Sequence, residues 1–259
     1  PAVAFLAREL GADGGVVISA SHNPAEYNGI KFFDRDGFKL PDEIESEIEE
    51  FLVSERDWER PVGAGIGSAT VVPDAAERYV AHAVATVPGR LNGLKIAIDC
   101  GHGASAVSTP AAFEALGAEV VTLNCDWDGT DINKECGSTH LEVISGVVRA
   151  GSFDLGIAHD GDADSVLAVD EAGREVDGDA IMAICALDLK ERGLLTGDTV
   201  VATVMSNLGF EVALREHGIA LVKTRVGDRY VLDQMRASGA VFGGEQSGHL
   251  LFLDHGTTG

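Results

Sequence analysis

Apolar positions along the chain follow two alternating rhythms. Compact apolar, β-branched runs give way to stretches in which apolar residues recur every three or four positions. The first kind marks buried strands and the second marks helices packed on one face. Residues 16–20 read as a strand. Residues 41–53 open on Pro-Asp-Glu and carry Ile44, Ile48, Phe51 and Leu52 at helical spacing, with proline at a position the first turn tolerates. Residues 61–68 are glycine-rich without a period and read as a linker, and 74–87 read as a helix. Strands then fall at 95–99, 119–123, 154–158, 166–169, 199–205 and 220–224. Helices fall at 110–116, 141–150, 180–192, 207–217 and 228–237, several of them stopped by Gly117, Gly151, Gly193, Gly218 and Gly239. Strand, helix, glycine, strand is the signature of α/β sheets with crossover helices. The units recur at a spacing of about 100 residues, which fits successive related domains.

Composition sharpens this picture only in part. Apolar residues make up 45% and charged residues 24% of the 259 positions, ordinary globular usage that implies a packed core. The 32 glycines, many beside Asp, Ser or His, point to tight polar loops. A formal charge of −23 argues against a nucleic-acid or anionic-membrane surface, because both are read by Lys and Arg patches. Cys100, Cys125, Cys136 and Cys185 include no C-x-x-C pair, so reduced thiols and a cytoplasmic setting are expected. No apolar run reaches the roughly 18 residues of a membrane span, and with no basic segment followed by an apolar stretch at its start, no secretory signal is expected. The sequence begins at Pro1 and stops at Gly259 within Gly-Thr-Thr-Gly, so both ends read as cut.

Three loops after strand-like runs, where α/β proteins place their chemistry, have unusual polar content. Ser19-Ala20-Ser21-His22-Asn23-Pro24 sets a hydroxyl beside an imidazole on a turn fixed by Asn-Pro, with Lys31 a few residues on. It reads either as an exposed nucleophile beside a base or as a polar turn capped by Ser21 or Asn23. In His159-Asp160-Gly161-Asp162-Ala163-Asp164 the alternate carboxylates converge if the chain is extended. That suits a hard cation such as Mg²⁺, or else forms a solvated acidic turn. An EF-hand count from Asp160 places Glu171 at position twelve but Ser165 where glycine is needed, and the flanks read as strands. Gly243-Gly244-Glu245-Gln246-Ser247-Gly248-His249 offers a carboxylate, a hydroxyl and an imidazole. Such a set suits sugar hydroxyls, and also suits a plain hairpin turn. Lys223-Thr224-Arg225-Val226-Gly227-Asp228-Arg229 is cationic and reads equally as a phosphate site or a solvated helix start.

Together these loops, in this order, resemble the α-D-phosphohexomutase family. Residues 19–24 are similar to its phosphoserine loop, 160–164 to its metal loop and 244–249 to its sugar-recognition loop. The segments 133–140, 203–209 and 226–231, and Gln246, are similar to its bacterial phosphoglucosamine mutase branch. The resemblance implies a phosphohexomutase-like α/β fold of successive domains with mixed sheets. Domain I would cover 1–72, domain II 73–174 and domain III 175–259. It implies interconversion of glucosamine 6-phosphate and glucosamine 1-phosphate through a bisphosphate. Ser21 would carry the phosphoryl group and ligate Mg²⁺ with Asp160, Asp162 and Asp164. His22, Lys31 and His249 would serve catalysis, while Glu245, Ser247 and Arg229 would bind the hexosamine phosphate. Glucose or mannose phosphate mutases, and a non-catalytic sugar-phosphate binder, are the alternatives. The oligomeric state stays open, a homodimer included. Ser165 stands where the family's metal loop continues with Arg, which implies weaker anion contacts and slower turnover. Further N-terminal strands and a fourth, phosphate-binding domain are expected in a complete family member.

Overall fold

A computed structural model describes residues 1–54, 59–126 and 128–259. Its strands fall into three separate sheets, each beside one of the polar loops.

The first unit opens with helix α1 (Ala2–Glu9), followed by β1 (Gly14–Ser19) and β2 (Gly29–Asp34), which pair antiparallel with Val17 opposite Lys31. Helix α2 (Asp42–Val53) follows, its first turn carrying Asp42, Glu43 and Glu45, the charges that suit a helix N-terminus. The apolar pattern predicts β1 and α2, whereas α1 and β2 are additional to it. Residues 61–68 hold only a single 3₁₀ turn, Gly63–Gly65, in keeping with a linker.

The second unit is built on α3 (Ala75–Thr86), β3 (Lys95–Asp99), α4 (Ser105–Leu116), β4 (Glu119–Leu123), α5 (Leu141–Ala150), β5 (Leu155–His159), β6 (Val166–Asp170) and β7 (Glu175–Val176). The sheet order is β4-β3-β5-β6-β7, parallel across β4, β3 and β5 and antiparallel beyond. Ile144 and Val148 of α5 close one face over Ala97, Ala158 and Val169. Phe113 of α4 packs on the other, against Ile96, Ile98 and Ile157. Helix α4 starts five residues before the expected position, so Pro110 lies inside it rather than in its first turn. The missing proline N–H removes one intrahelical bond, a cost offset by burial of this face against the sheet.

The third unit comprises α6 (Gly178–Glu191), β8 (Thr199–Thr203), α7 (Leu208–Glu216), β9 (Ala220–Thr224), α8 (Asp228–Ser238), β10 (Phe242–Gly244) and β11 (Leu250–Phe252). Its order is β11-β10-β8-β9, with only β11 antiparallel. Met182, Ala186, Phe210, Leu214 and Phe242 fill one side of the sheet. Val231, Leu232 and Met235 of α8 fill the other with Val201 and Leu251. Side-chain caps begin two of these helices. Asp177 accepts from Ala180 N at 2.9 Å, and Asn207 accepts from Phe210 N at 2.9 Å, the expected use of short polar residues there. Strand β8 ends two residues earlier than expected, where Val204 N donates to Thr224 O at 2.8 Å and the chain turns away.

Candidate active site

Ser21 lies just past β1 in a turn closed by Asn23 N donating to Ala20 O at 3.0 Å. Its backbone is left-handed, φ 54°, a region that a non-glycine residue adopts only when its surroundings hold it there. The Oγ donates to Asp160 Oδ2 at 3.4 Å, and Gly161 N donates to Ser21 O at 3.1 Å. Gly161 has to be glycine here, since a Cβ would lie 2.6 Å from Ser21 O and 2.4 Å from Ile132. The Ser21 turn is thus seated directly on the acidic loop.

That acidic loop connects β5 to β6. Asp160, Asp162 and Asp164 each present an oxygen within 4.8 Å of the others. Asp160 is buried and accepts from Ser165 N at 3.1 Å. Burial, with the charges of Asp164 and Asp162, pushes its carboxyl up to about 7. Lys31, on β2, donates to Asp162 Oδ2 at 2.6 Å and to Asp164 Oδ2 at 2.7 Å. Burial works against the Lys31 ammonium, but the two carboxylates outweigh it and hold its pKa well above the ordinary lysine value. Asp162 Oδ1 is buried without a hydrogen-bond partner.

His249 arrives from the third unit on the β10–β11 hairpin. The hairpin tip docks on the acidic loop through Val166 N, which donates to Gly248 O at 3.0 Å. The imidazole is buried between two carboxylates, with Nδ1 3.8 Å from Asp164 Oδ1 and Nε2 3.3 Å from Asp228 Oδ2. Burial lowers its pKa, yet the hydrogen bonds and charges of Asp164 and Asp228 raise it further, to about 9. Gly259 N also approaches Nε2 at 3.3 Å, an approach open only to the neutral ring. Two carboxylates outweigh one amide, so the cationic ring dominates at neutral pH. Asp228 is in turn paired with Lys39.

Other expected residues sit differently. Glu245 Oε1 accepts from Gly227 N at 3.0 Å, and Glu245 and the exposed Ser247 border a cavity with Glu175, Asp177, Thr203 and Gln246. Glu245 and Ser247 lie between β10 and β11, on the same hairpin as His249. His22 is exposed and makes no hydrogen bond or ion pair with the other described residues. Arg229 is engaged by the start of α2, through Leu40 O at 2.7 Å, Glu45 at 2.8 Å and Asp42. Its guanidinium therefore braces the third unit against the first. Ser165 touches Asp164 Oδ1 with its hydroxyl at 3.4 Å. The partners Lys39 and Asp228 were not anticipated as site residues. Asp228 lies within the cationic segment 223–229, but nothing in the order of residues says that it meets His249.

Sequence models of phosphoglucomutase/phosphomannomutase α/β/α domains I, II and III match residues 1–57, 77–173 and 177–259, in that order. The chain belongs to the phosphoglucomutase/phosphomannomutase family. Among curated family members, the phosphoglucosamine mutase of Thermoanaerobacter sp. strain X514 is 54% identical over 259 residues. That of Streptomyces griseus subsp. griseus is 56% identical over 262. Both alignments take in 100% of this chain and 58% of the relative, so the chain spans under two thirds of these family members. A phosphoglucomutase/phosphomannomutase family protein from Burkholderia thailandensis superposes with a TM-score of 0.79 at 27% identity, over 94% of this chain and 52% of that one. A phosphomannomutase-like structure from Thermus thermophilus gives the same TM-score at 23% identity, over 100% of this chain and 59% of that one. Among the described residues no helix is long and apolar enough to cross a membrane, and all four cysteines are free thiols.

Proposed function

We propose that this chain carries the phosphoryl-transfer centre of a phosphoglucosamine mutase working in the cytoplasm, with Ser21 as the phosphoryl carrier. The observation behind this reading is the Ser21 hydroxyl set on Asp160 within a ring of three carboxylates and two cations drawn from distant parts of the chain. The high identity to curated phosphoglucosamine mutases supports the amino-sugar substrate. The division into residues 1–72, 73–174 and 175–259 gives each domain one functional loop.

Ser21 Oγ, Asp160, Asp162 and Asp164 are all hard oxygen donors, and the orphaned Asp162 Oδ1 is a buried acceptor awaiting a partner. These residues fit a small divalent cation such as Mg²⁺. When bound, it would neutralise phosphoryl oxygens. The remaining work falls to the chain. Ser21 Oγ gives its phosphoryl group to the O1 hydroxyl of glucosamine 6-phosphate, and later takes back the group from O6 of the bisphosphate. Lys31 and His249 are both held protonated by their carboxylate neighbours. Lys31 is therefore suited to place positive charge at the transferring group, and His249 to give a proton to the leaving oxygen, Ser21 Oγ in the first transfer and O6 in the second, and to recover one from the attacking hydroxyl, O1 and then Ser21 Oγ. Glu245 and Ser247 border a cavity, where they would hold sugar hydroxyls in either orientation of the substrate. His22 would reach the phosphate only from its exposed side of the loop.

Incubation with glucosamine 1,6-bisphosphate, followed by intact mass and peptide mapping, tests the reading. A phosphoryl addition at Ser21 that needs Mg²⁺ is the expected result. No addition to a chain shown to be folded overturns it.

A further inference from the structure

Residues 133–140 stand out in the sequence, and the reaction proposed above gives them no task. Their first residue, Asn133, is 7% exposed and left-handed, φ 58°. Its backbone N–H donates to Gly101 O at 2.9 Å, which fixes it beside the end of β3 in the second unit. Its side chain reaches into the first unit. Nδ2 donates to Ser21 O at 2.6 Å and to Asn23 O at 2.9 Å. Both amide hydrogens are thereby used, on two carbonyls that bracket the hydroxyl-bearing turn. These partners lie 112 and 110 residues away in sequence. An asparagine serving only its own turn would bond within its own segment.

We propose that Asn133 is a positioning residue that clamps the Ser21 turn from the second unit. It holds Ser21 in its strained left-handed conformation with Oγ facing Asp160. Two donors on one rigid amide, together with Gly161 N on Ser21 O, hold the turn with three hydrogen bonds on two carbonyls. The strain at φ 54° persists because these bonds over-determine it. Only a carboxamide serves here. Aspartate matches its shape and tolerates a left-handed backbone, but presents acceptors to two carbonyls. Glycine keeps the backbone and removes the clamp.

The proposal rests on Ser21 being the phosphoryl carrier, so its test has two independent arms. Asn133→Asp, Asn133→Gly and the unaltered chain are compared. The first arm is the initial rate of Ser21 phosphorylation by glucosamine 1,6-bisphosphate with Mg²⁺. The second is amide hydrogen exchange, read on peptides spanning 19–28 and 95–99. Loss of two hydrogen bonds predicts that uptake falls about tenfold or more and exchange at 19–28 rises by a similar factor, with 95–99 unchanged. Unaltered exchange at 19–28 in both variants overturns the clamp, as does uptake at the original rate. If the unaltered chain takes up no phosphoryl group, the carrier role fails and the exchange arm alone judges the clamp. If both variants also lose protection at 95–99, Asn133 serves the fold as a whole and the proposal falls.

Discussion

Lys31 is the positive charge on which two carboxylates converge, and its removal separates the cost of repulsion from the cost of lost chemistry. In Lys31→Met the acidic loop keeps its oxygens without their counter-charge. Since Lys31 is partly exposed, the expected loss without divalent cations is about 2 kcal/mol rather than the full figure for a buried pair. Mg²⁺ should then bind tighter than to the unaltered chain and recover most of that loss. Titration calorimetry and thermal melting check both, and unchanged Mg²⁺ affinity contradicts shared occupancy of these oxygens. Asp228 makes a second test. Burial pushes its carboxyl up, but His249 and Lys39 more than reverse this and hold it well below the ordinary carboxylate range. A depressed pKa contributes stability above the unfolded value of about 4 that is lost as pH falls through the folded one. Asp228→Asn should therefore cost about 2 kcal/mol at neutral pH, with the gap to the unaltered chain closing below about pH 4. Denaturant melts across pH measure it. Ser21, the three aspartates and His249 were legible because each stands in a short polar loop after an apolar run. Lys39, Asp228 and Asn133 were not, because their partners lie far off in sequence and no local pattern encodes such a meeting.

Gly248 shows how one position ties two elements together. Its φ is +96°, and a Cβ there would lie 2.2 Å from Val166 O, the first residue of β6. Gly248→Ala adds a strained backbone to a clash with main chain, so a cost of about 2 kcal/mol or more is expected. The larger effect should be on Ser21 phosphorylation, because relief of the clash lifts the hairpin carrying His249 off the acidic loop. Melting and phosphoryl uptake measured together check this, and full uptake in a destabilised chain would show that the docking is dispensable. The core elements of the second and third units were legible from periodicity alone, since β3, β5 and β8 are apolar runs with both faces covered. Helix α4 was misjudged at its start, because proline marks a first turn statistically while burial decides locally. Strand β2 escaped notice because Gly29–Asp34 carries Lys31 and two adjacent phenylalanines and does not alternate cleanly. Its pairing with β1 supplies the order that its own pattern lacks.

The whole molecule carries a charge of −23, and self-repulsion at that level opposes compactness. Raising monovalent salt from about 10 to about 200 mM shortens the screening length from roughly 30 Å to under 10 Å. The melting temperature should then rise by a few degrees, and a fall would place the balance of charge elsewhere, in the ion pairs around Lys31 and His249. Those pairs are drawn from all three sheets, with Ser21 and Lys31 beside the first, the aspartates beside the second, and His249 and Asp228 beside the third. Such a centre is the most non-local feature of the fold, and loop closure over long separations is the slow part of folding. A ribosome reading this message releases the serine long before the histidine that faces the same cluster. On the nascent chain, then, the hydroxyl emerges before its acidic partners, and the proposed competence for phosphoryl exchange has to wait until all three units are made and docked.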